Sequence, residues 1–230
     1  MYRLITANRN YSSWSLRPWV LMKTLGIPFE DEFVTFAGLD NYETFRSFSP
    51  NGMVPALIDG GDRTVWDSLG IALYLGDRHE GVWPAGENAR AWAQCAAAEM
   101  HGGFSALRNY CTMNVGVRVR RKPETPELKR DTARIAEIFE EGLGEFGGPF
   151  LAGADFTAAD AFFAPVVYRV RTYSLELGPK GAGWVERMLE LPAMRDWEEQ
   201  ALRETYREEG HEAALAATGA IIEDFRAAAA

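Results

Sequence analysis

Cysteine is scarce. The 230 residues hold two, Cys95 and Cys111, with no Cys-x-x-Cys spacing. That excludes a disulfide framework and a thiolate metal site, and two buried free thiols are expected. Long apolar runs are absent: no stretch approaches the roughly 20 residues that a spanning helix needs. The start, Met1-Tyr2-Arg3-Leu4, carries no signal-peptide pattern, so a cytoplasmic location with no membrane partner is expected. Positive charge is in deficit, with 24 Lys+Arg against 33 Asp+Glu and a net charge of −9. This opposes nucleic acid and anionic lipid as partners but leaves room for a local basic pocket, for which Arg9, Arg17 and Arg108 are candidates. What is present, 47% hydrophobic and 25% charged residues, describes a globular chain long enough for one large domain or two small ones.

The chain is organised around Asn10-Tyr11-Ser12-Ser13-Trp14-Ser15-Leu16-Arg17-Pro18-Trp19. An apolar run, Tyr2 to Ala7, reads as a strand before it. A helical pattern from about Ser15 to Leu25 follows, stopped by Gly26-Ile27-Pro28 in the usual order of Gly then Pro. A strand turning through serines into a helix presents hydroxyls and unpaired N–H groups where the dipole favours an anion or a thiolate. Ser13 or Ser15 would serve equally as a plain helix cap.

Glu30 to Val34 reads as a second strand. Asp40 to Phe48 is a weakly helical piece with Tyr42, Phe45 and Phe48 at core spacing. Ser49-Pro50-Asn51-Gly52-Met53-Val54-Pro55-Ala56-Leu57 then delivers a proline to the mouth of a strand. A cis Val54–Pro55 bond would free the Val54 main chain for a peptide-like ligand, and a trans turn is the base-rate alternative. Gly60 to Arg63 turns a hairpin into Thr64-Val65-Trp66, and Asp67-Ser68 opens a helix from Leu69 to Arg78. An acid and a hydroxyl there are ordinary caps, or they hold a ligand's ammonium and carboxylate.

This order of motifs resembles the thioredoxin-like N-terminal domain of the cytosolic glutathione S-transferases. Ser12-Ser13-Trp14-Ser15-Leu16-Arg17 is similar to the Ser-Ser-Cys-Ser-Trp-Arg signature of the zeta class, the nearest serine-type class. Ser12 stands five positions before Arg17, the spacing of catalytic serine and arginine in serine-type classes. The resemblance implies Ser12 as the catalytic residue and Ser12, Ser13, Arg17, Met53, Val54, Pro55, Asp67 and Ser68 as the glutathione site. It also implies an acceptor pocket at Tyr11, Met100, Phe104 and Arg108, glutathione as cosubstrate without a metal, and a homodimer. Trp14 replaces the zeta-class cysteine, which weakens a reading as a maleylacetoacetate isomerase. By alignment Ser105 replaces the glutamine that helps bind glutathione in the zeta class. Serines at 12 and 15 occupy the thioredoxin cysteine positions, so disulfide exchange is unavailable there.

Beyond a Gly/Pro-rich linker at 80–87, the chain reads as long helices, giving domains at 1–79 and 88–230. The fold class implied is α/β thioredoxin-like followed by an all-α domain. One helix is expected from Asn88 to about Asn114, then a solvated basic loop from Arg118 to Lys122 and a helix from Leu128 to Leu143. Thr157 with Asp160 forms a capping box before an apolar helix, and loss of that cap should cost about 1 kcal/mol or somewhat more. Two further helices, Ala182 to Leu191 and Pro192 to Glu208, precede an Ala-rich one from His211 to Arg226. The histidines are assigned no special role, although His101 stands where it could touch the pocket.

The function implied is a glutathione transferase whose nucleophile is the bound cosubstrate's thiolate, attacking a small, partly apolar electrophile by conjugation, isomerisation or dehalogenation. The alternatives are a non-catalytic glutathione-binding or scaffold protein, a zeta-like cis-trans isomerase of an unsaturated dicarboxylate, and, more weakly, a glutathione peroxidase.

Overall fold

The computed structural model describes residues 1–38 and 40–229, so Ala230, the last residue of the expected second domain, lies outside the described residues. Strand β1 (Tyr2–Ala7) leads into helix α1 (Ser13–Thr24), which crosses over so that β2 (Phe29–Val34) pairs parallel to β1. Gly26, at φ 66°, closes the end of α1 in the left-handed conformation that glycine adopts without a side-chain penalty. A short helix, α2 (Tyr42–Arg46), precedes β3 (Ala56–Asp59) and β4 (Arg63–Val65), and α3 (Ser68–Gly76) completes the first unit. The sheet runs β2-β1-β3-β4, antiparallel on the β3 and β4 side.

The remainder is helical: α4 (Glu87–Gly102), α5 (Ser105–Tyr110), α6 (Pro126–Glu145), α7 (Ala158–Tyr173), α8 (Gly178–Glu190), α9 (Pro192–Arg203) and α10 (Glu209–Thr218). A two-stranded ribbon joins β5 (Val117–Arg121) to β6 (Gly219–Asp224). One continuous core runs from Leu4 and Trp19 through α7 to Trp184 and Trp197, so burial of α1 against α7 fixes the helix that carries Ser12.

Four expectations are corrected. The helix from Asn88 does not reach Asn114. It breaks after Gly102, where a Cβ on Gly103 would stand 2.8 Å from the Glu99 carbonyl and Phe104 adopts a left-handed φ of 61°. The run from Arg118 is not a solvated loop: alternation buries Val117 and Val119 and turns the arginines outward, a strand period. The expected helix to Arg226 ends at Thr218, because Gly219 packs against Arg120 too closely for any side chain and Ile221 and Ile222 continue as a strand. Cys111 is buried, but Cys95 is exposed.

Candidate functional site

The loop from Asn8 to Tyr11 is fixed from the C-terminal half. The Arg9 N–H donates to Glu204, its carbonyl accepts from Trp197 Nε1 at 3.0 Å, and Asn10 bonds Ala201 O and the Gly116 N–H. Held this way, Ser12 becomes the N-cap of α1 and accepts the Ser15 N–H at 3.3 Å. The Ser12 and Ser15 hydroxyls lie 2.8 Å apart, and Ser15 Oγ also accepts the Ala7 N–H at 3.1 Å. Ser12 donates in that bond, so its hydroxyl must turn its proton away from Ser15 to donate to a third group. Pro18 sits late enough in α1 that the carbonyl its ring would crowd, that of Trp14, is in the first turn.

Across from Ser12, the Val54–Pro55 bond is cis. Among the described residues neither the N–H nor the C=O of Val54 has a hydrogen-bond partner. Gly52, at φ 66°, lets this turn lie against the Tyr42 ring, which a Cβ would meet at 2.5 Å. Ser12, Trp14, Met53 and Val54 line one cavity of about 340 Å³. Asp67 caps α3, accepting the Leu69 N–H at 2.9 Å and the Gly70 N–H at 3.4 Å. Its second oxygen lies 3.2 Å from His101 Nε2, and burial draws the imidazole's pKa down. The Ser68 hydroxyl is buried without a partner among the described residues. Ser13 opens α1, 6% exposed, and Pro55 is buried beneath the turn. A larger cleft, about 720 Å³ between the end of α3 and α4, holds none of the expected site residues.

The three candidate arginines separate. Arg9 is not a pocket residue: it is spent on Asp31, Thr6 and Gln200 and on the Trp19 and Trp197 rings. Arg108 is spent on the Gly103 and Met100 carbonyls at the α4 break and on one face of Trp14. Arg17 is 1% exposed and none of its nitrogens has a hydrogen-bond partner among the described residues. Its guanidinium lies 4.2 Å from the Trp14 centroid and 5.1 Å from that of Phe162. Burial first, then Arg108 and Arg169, pull its pKa well below the ordinary value, with Asp67 opposing. Met100 and Phe104 are buried in the core and are not brought to the Ser12 cavity, whereas Tyr11 lines it.

Sequence reasoning missed the other rings of that wall, Phe36, Tyr42, Phe45 and His211, which stand there with Asp40, Asn41 and Gly52. Tyr11 donates to Glu212 at 2.7 Å, and Arg226 bonds the same carboxylate at 2.6 Å. Burial and then that hydrogen bond push the Tyr11 phenol's pKa well up, so it stays neutral. The sequence signals were the helical spacing of Tyr42 and Phe45, read as core, and one histidine in an Ala-rich tail. Among the described residues there is no cluster of three His, Cys, Asp or Glu able to hold a metal, and no helix is long and apolar enough to cross a membrane.

Two family models match the chain, "Glutathione S-transferase, N-terminal domain" at residues 11–78 and "Glutathione S-transferase, C-terminal domain" at residues 123–200, together more than half of it. A zeta-class glutathione S-transferase of Euphorbia esula is 27% identical over 165 residues, 70% of this chain and 73% of that protein. Glutathione S-transferase GstA of Escherichia coli O157:H7 is 26% identical over 174 residues, 69% of this chain and 78% of that protein. A solved glutathione transferase homologue from Burkholderia GL BGR1, with bound glutathione, shares the fold at a TM-score of 0.64 and 21% identity, covering 87% of this chain and 97% of the other.

Proposed function

The chain belongs to the glutathione S-transferase family, and on that premise we propose that it binds glutathione, holds the sulfur as thiolate and directs it at a small, partly apolar electrophile. One observation carries this reading: Ser12, at a helix N-terminus, shares a cavity with the unpartnered main chain of Val54. A cysteinyl residue paired to the Val54 N–H and C=O would lay its side chain toward Ser12. Asp67 already occupies the Leu69 and Gly70 N–H groups, so the γ-glutamyl carboxylate goes to Ser68 and the ammonium to Asp67.

A free thiol has a pKa near 8.5 and is mostly protonated at neutral pH. A hydrogen bond from Ser12 and the α1 dipole, with the Arg17 charge behind Trp14, each favour the thiolate, and every unit of lowering is worth about 1.4 kcal/mol. The acceptor lies against Tyr11, Phe36, Tyr42 and Phe45. Arg108 acts from behind Trp14 by holding its ring. The exposed side chains of Met53, Trp66 and Leu73 supply apolar surface for a homodimer.

Conjugation of a chloronitrobenzene, measured against the buffer rate, tests the activity, and calorimetry with glutathione tests the site. Binding without turnover across epoxides, haloacids and unsaturated dicarboxylates would leave a glutathione-binding protein and remove the enzyme. Ser68→Ala separates ligand binding from folding. It deletes a hydroxyl that has no partner among the described residues, so the melting temperature should hold or rise. A lost hydrogen bond to a charged carboxylate should raise the glutathione Kd about tenfold or more. An unchanged Kd would take Ser68 out of the site.

A further inference from the structure

We propose that His211, oriented by Glu208, is the proton acceptor that ionises the bound glutathione thiol. The assignment rests on the glutathione-site reading above and extends it to a residue outside the family's serine motif. Glu208 is 2% exposed and caps α10, accepting the Gly210 N–H at 3.0 Å and the His211 N–H at 2.7 Å. Its Oε2 lies 2.6 Å from His211 Nδ1. A carboxylate only accepts, so Nδ1 carries the hydrogen, and in the neutral imidazole Nε2 then presents a lone pair. Burial pushes the Glu208 carboxyl up, but the two N–H groups and the imidazole more than offset that and keep it ionised.

Two aromatic rings also stack on the imidazole. Tyr11 stacks at 4.8 Å and 22°, and Phe36 at 5.1 Å and 26°. Hydrogen bond and stacking together fix the imidazole in the wall of the cavity that Ser12 and Val54 line, and Nε2 has no partner among the described residues. Packing alone would be served by any ring. A carboxylate that sets the tautomer is what a positioned base requires.

The step balances within the site. The S–H bond breaks with its electron pair left on sulfur, where Ser12 donates to it, and the proton moves to Nε2. The imidazolium is stabilised by Glu208. Sulfur then bonds the acceptor carbon as the leaving group departs with its bonding pair, and Nε2 returns its proton to that group or to water. The other ionisable groups facing the imidazole are Glu212 and Tyr11, Arg226 through Glu212, and Asp40 on the facing loop. Among the described residues only Glu208 bonds the ring directly.

The test measures the pH profile of kcat/KM for a chloronitrobenzene in the full chain, with affinity for S-methylglutathione, which has no thiol proton, as the packing control. His211→Gln should cost about 100-fold near neutral pH, with S-methylglutathione affinity held within about twofold. The deficit should close as pH rises past the free-thiol pKa of about 8.5, where the thiol ionises unaided. Glu208→Gln should give an intermediate loss. His211→Phe keeps the stack, so it should bind S-methylglutathione normally and regain part of its rate with added imidazole. A pH-independent deficit, no deficit, or a loss confined to S-methylglutathione affinity would overturn the assignment. Wild-type protein that neither binds nor conjugates glutathione removes the underlying reading as well. Turnover that Ser12→Ala abolishes and His211→Gln leaves intact removes this inference alone.

Discussion

Ser12→Ala is expected to lower kcat/KM for chloronitrobenzene conjugation by about 10²–10³-fold, the usual cost of deleting one donor aimed at a developing or resident anion. The same change removes the N-cap of α1, worth about 1 kcal/mol. In a chain of this size that lowers the melting temperature by only about 2–4 °C. The protein at assay temperature therefore stays folded, and the kinetic loss is chemical. Two neighbours calibrate it. Ser15→Ala removes the hydroxyl that accepts from Ser12 and leaves the Ala7 N–H without its acceptor, so a smaller loss of rate with a comparable loss of stability is expected. Ser13→Ala touches neither bond and should retain nearly full activity. If Ser13→Ala shows the large deficit and Ser12→Ala does not, the sulfur sits one residue further along and the register drawn from Arg17 is wrong.

The N-terminal unit was readable in advance because its signals are local. Gly26 and Pro28 stop a helix, Gly60-Gly61 turns a hairpin and Asp67 caps α3, each acting through its own backbone. The cavity wall opposite Ser12 was hidden because it is made by residues far apart in sequence. Phe36 follows β2, Phe45 belongs to α2, and His211 arrives from the other end of the chain. Nothing in an Ala-rich tail announces that its histidine will stack on Tyr11. The β5 and β6 ribbon failed for another reason. Val117 and Val119 alternate with arginines, a strand period that the charge of the run masked, and its partner strand lies about a hundred residues away. The break before Phe104 needed a tertiary cause: Arg108 bonds the carbonyls that the interrupted helix leaves free.

Asp160 shows how much a local motif understates. As a capping-box residue it was worth about 1 kcal/mol. In the fold it also accepts the Leu151 N–H at 2.9 Å and Trp184 Nε1 at 2.9 Å, besides the Thr157 N–H at 3.1 Å, so it ties the loop before α7 to α8. Asp160→Ala leaves three buried donors without an acceptor, each costing about 1–3 kcal/mol, and a total near 4 kcal/mol is expected. Calorimetric melting should fall by roughly 10 °C. The carboxyl is fully buried, and burial outweighs its hydrogen bonds to raise the pKa from 3.8 to about 6. Between those values the folded protein binds the proton more tightly than the unfolded chain does. This group's contribution is therefore fully present below about pH 4 and is lost as pH rises to about 6, a change of about 3 kcal/mol. Asp160→Asn cannot titrate and should flatten that part of the stability profile relative to wild type; parallel profiles would mean the carboxyl does not titrate in this range. Below its own melting transition each folded molecule should still conjugate at the wild-type rate. Asp160 reaches the chemistry only through α7, the helix against which α1 and its N-terminal serine are packed.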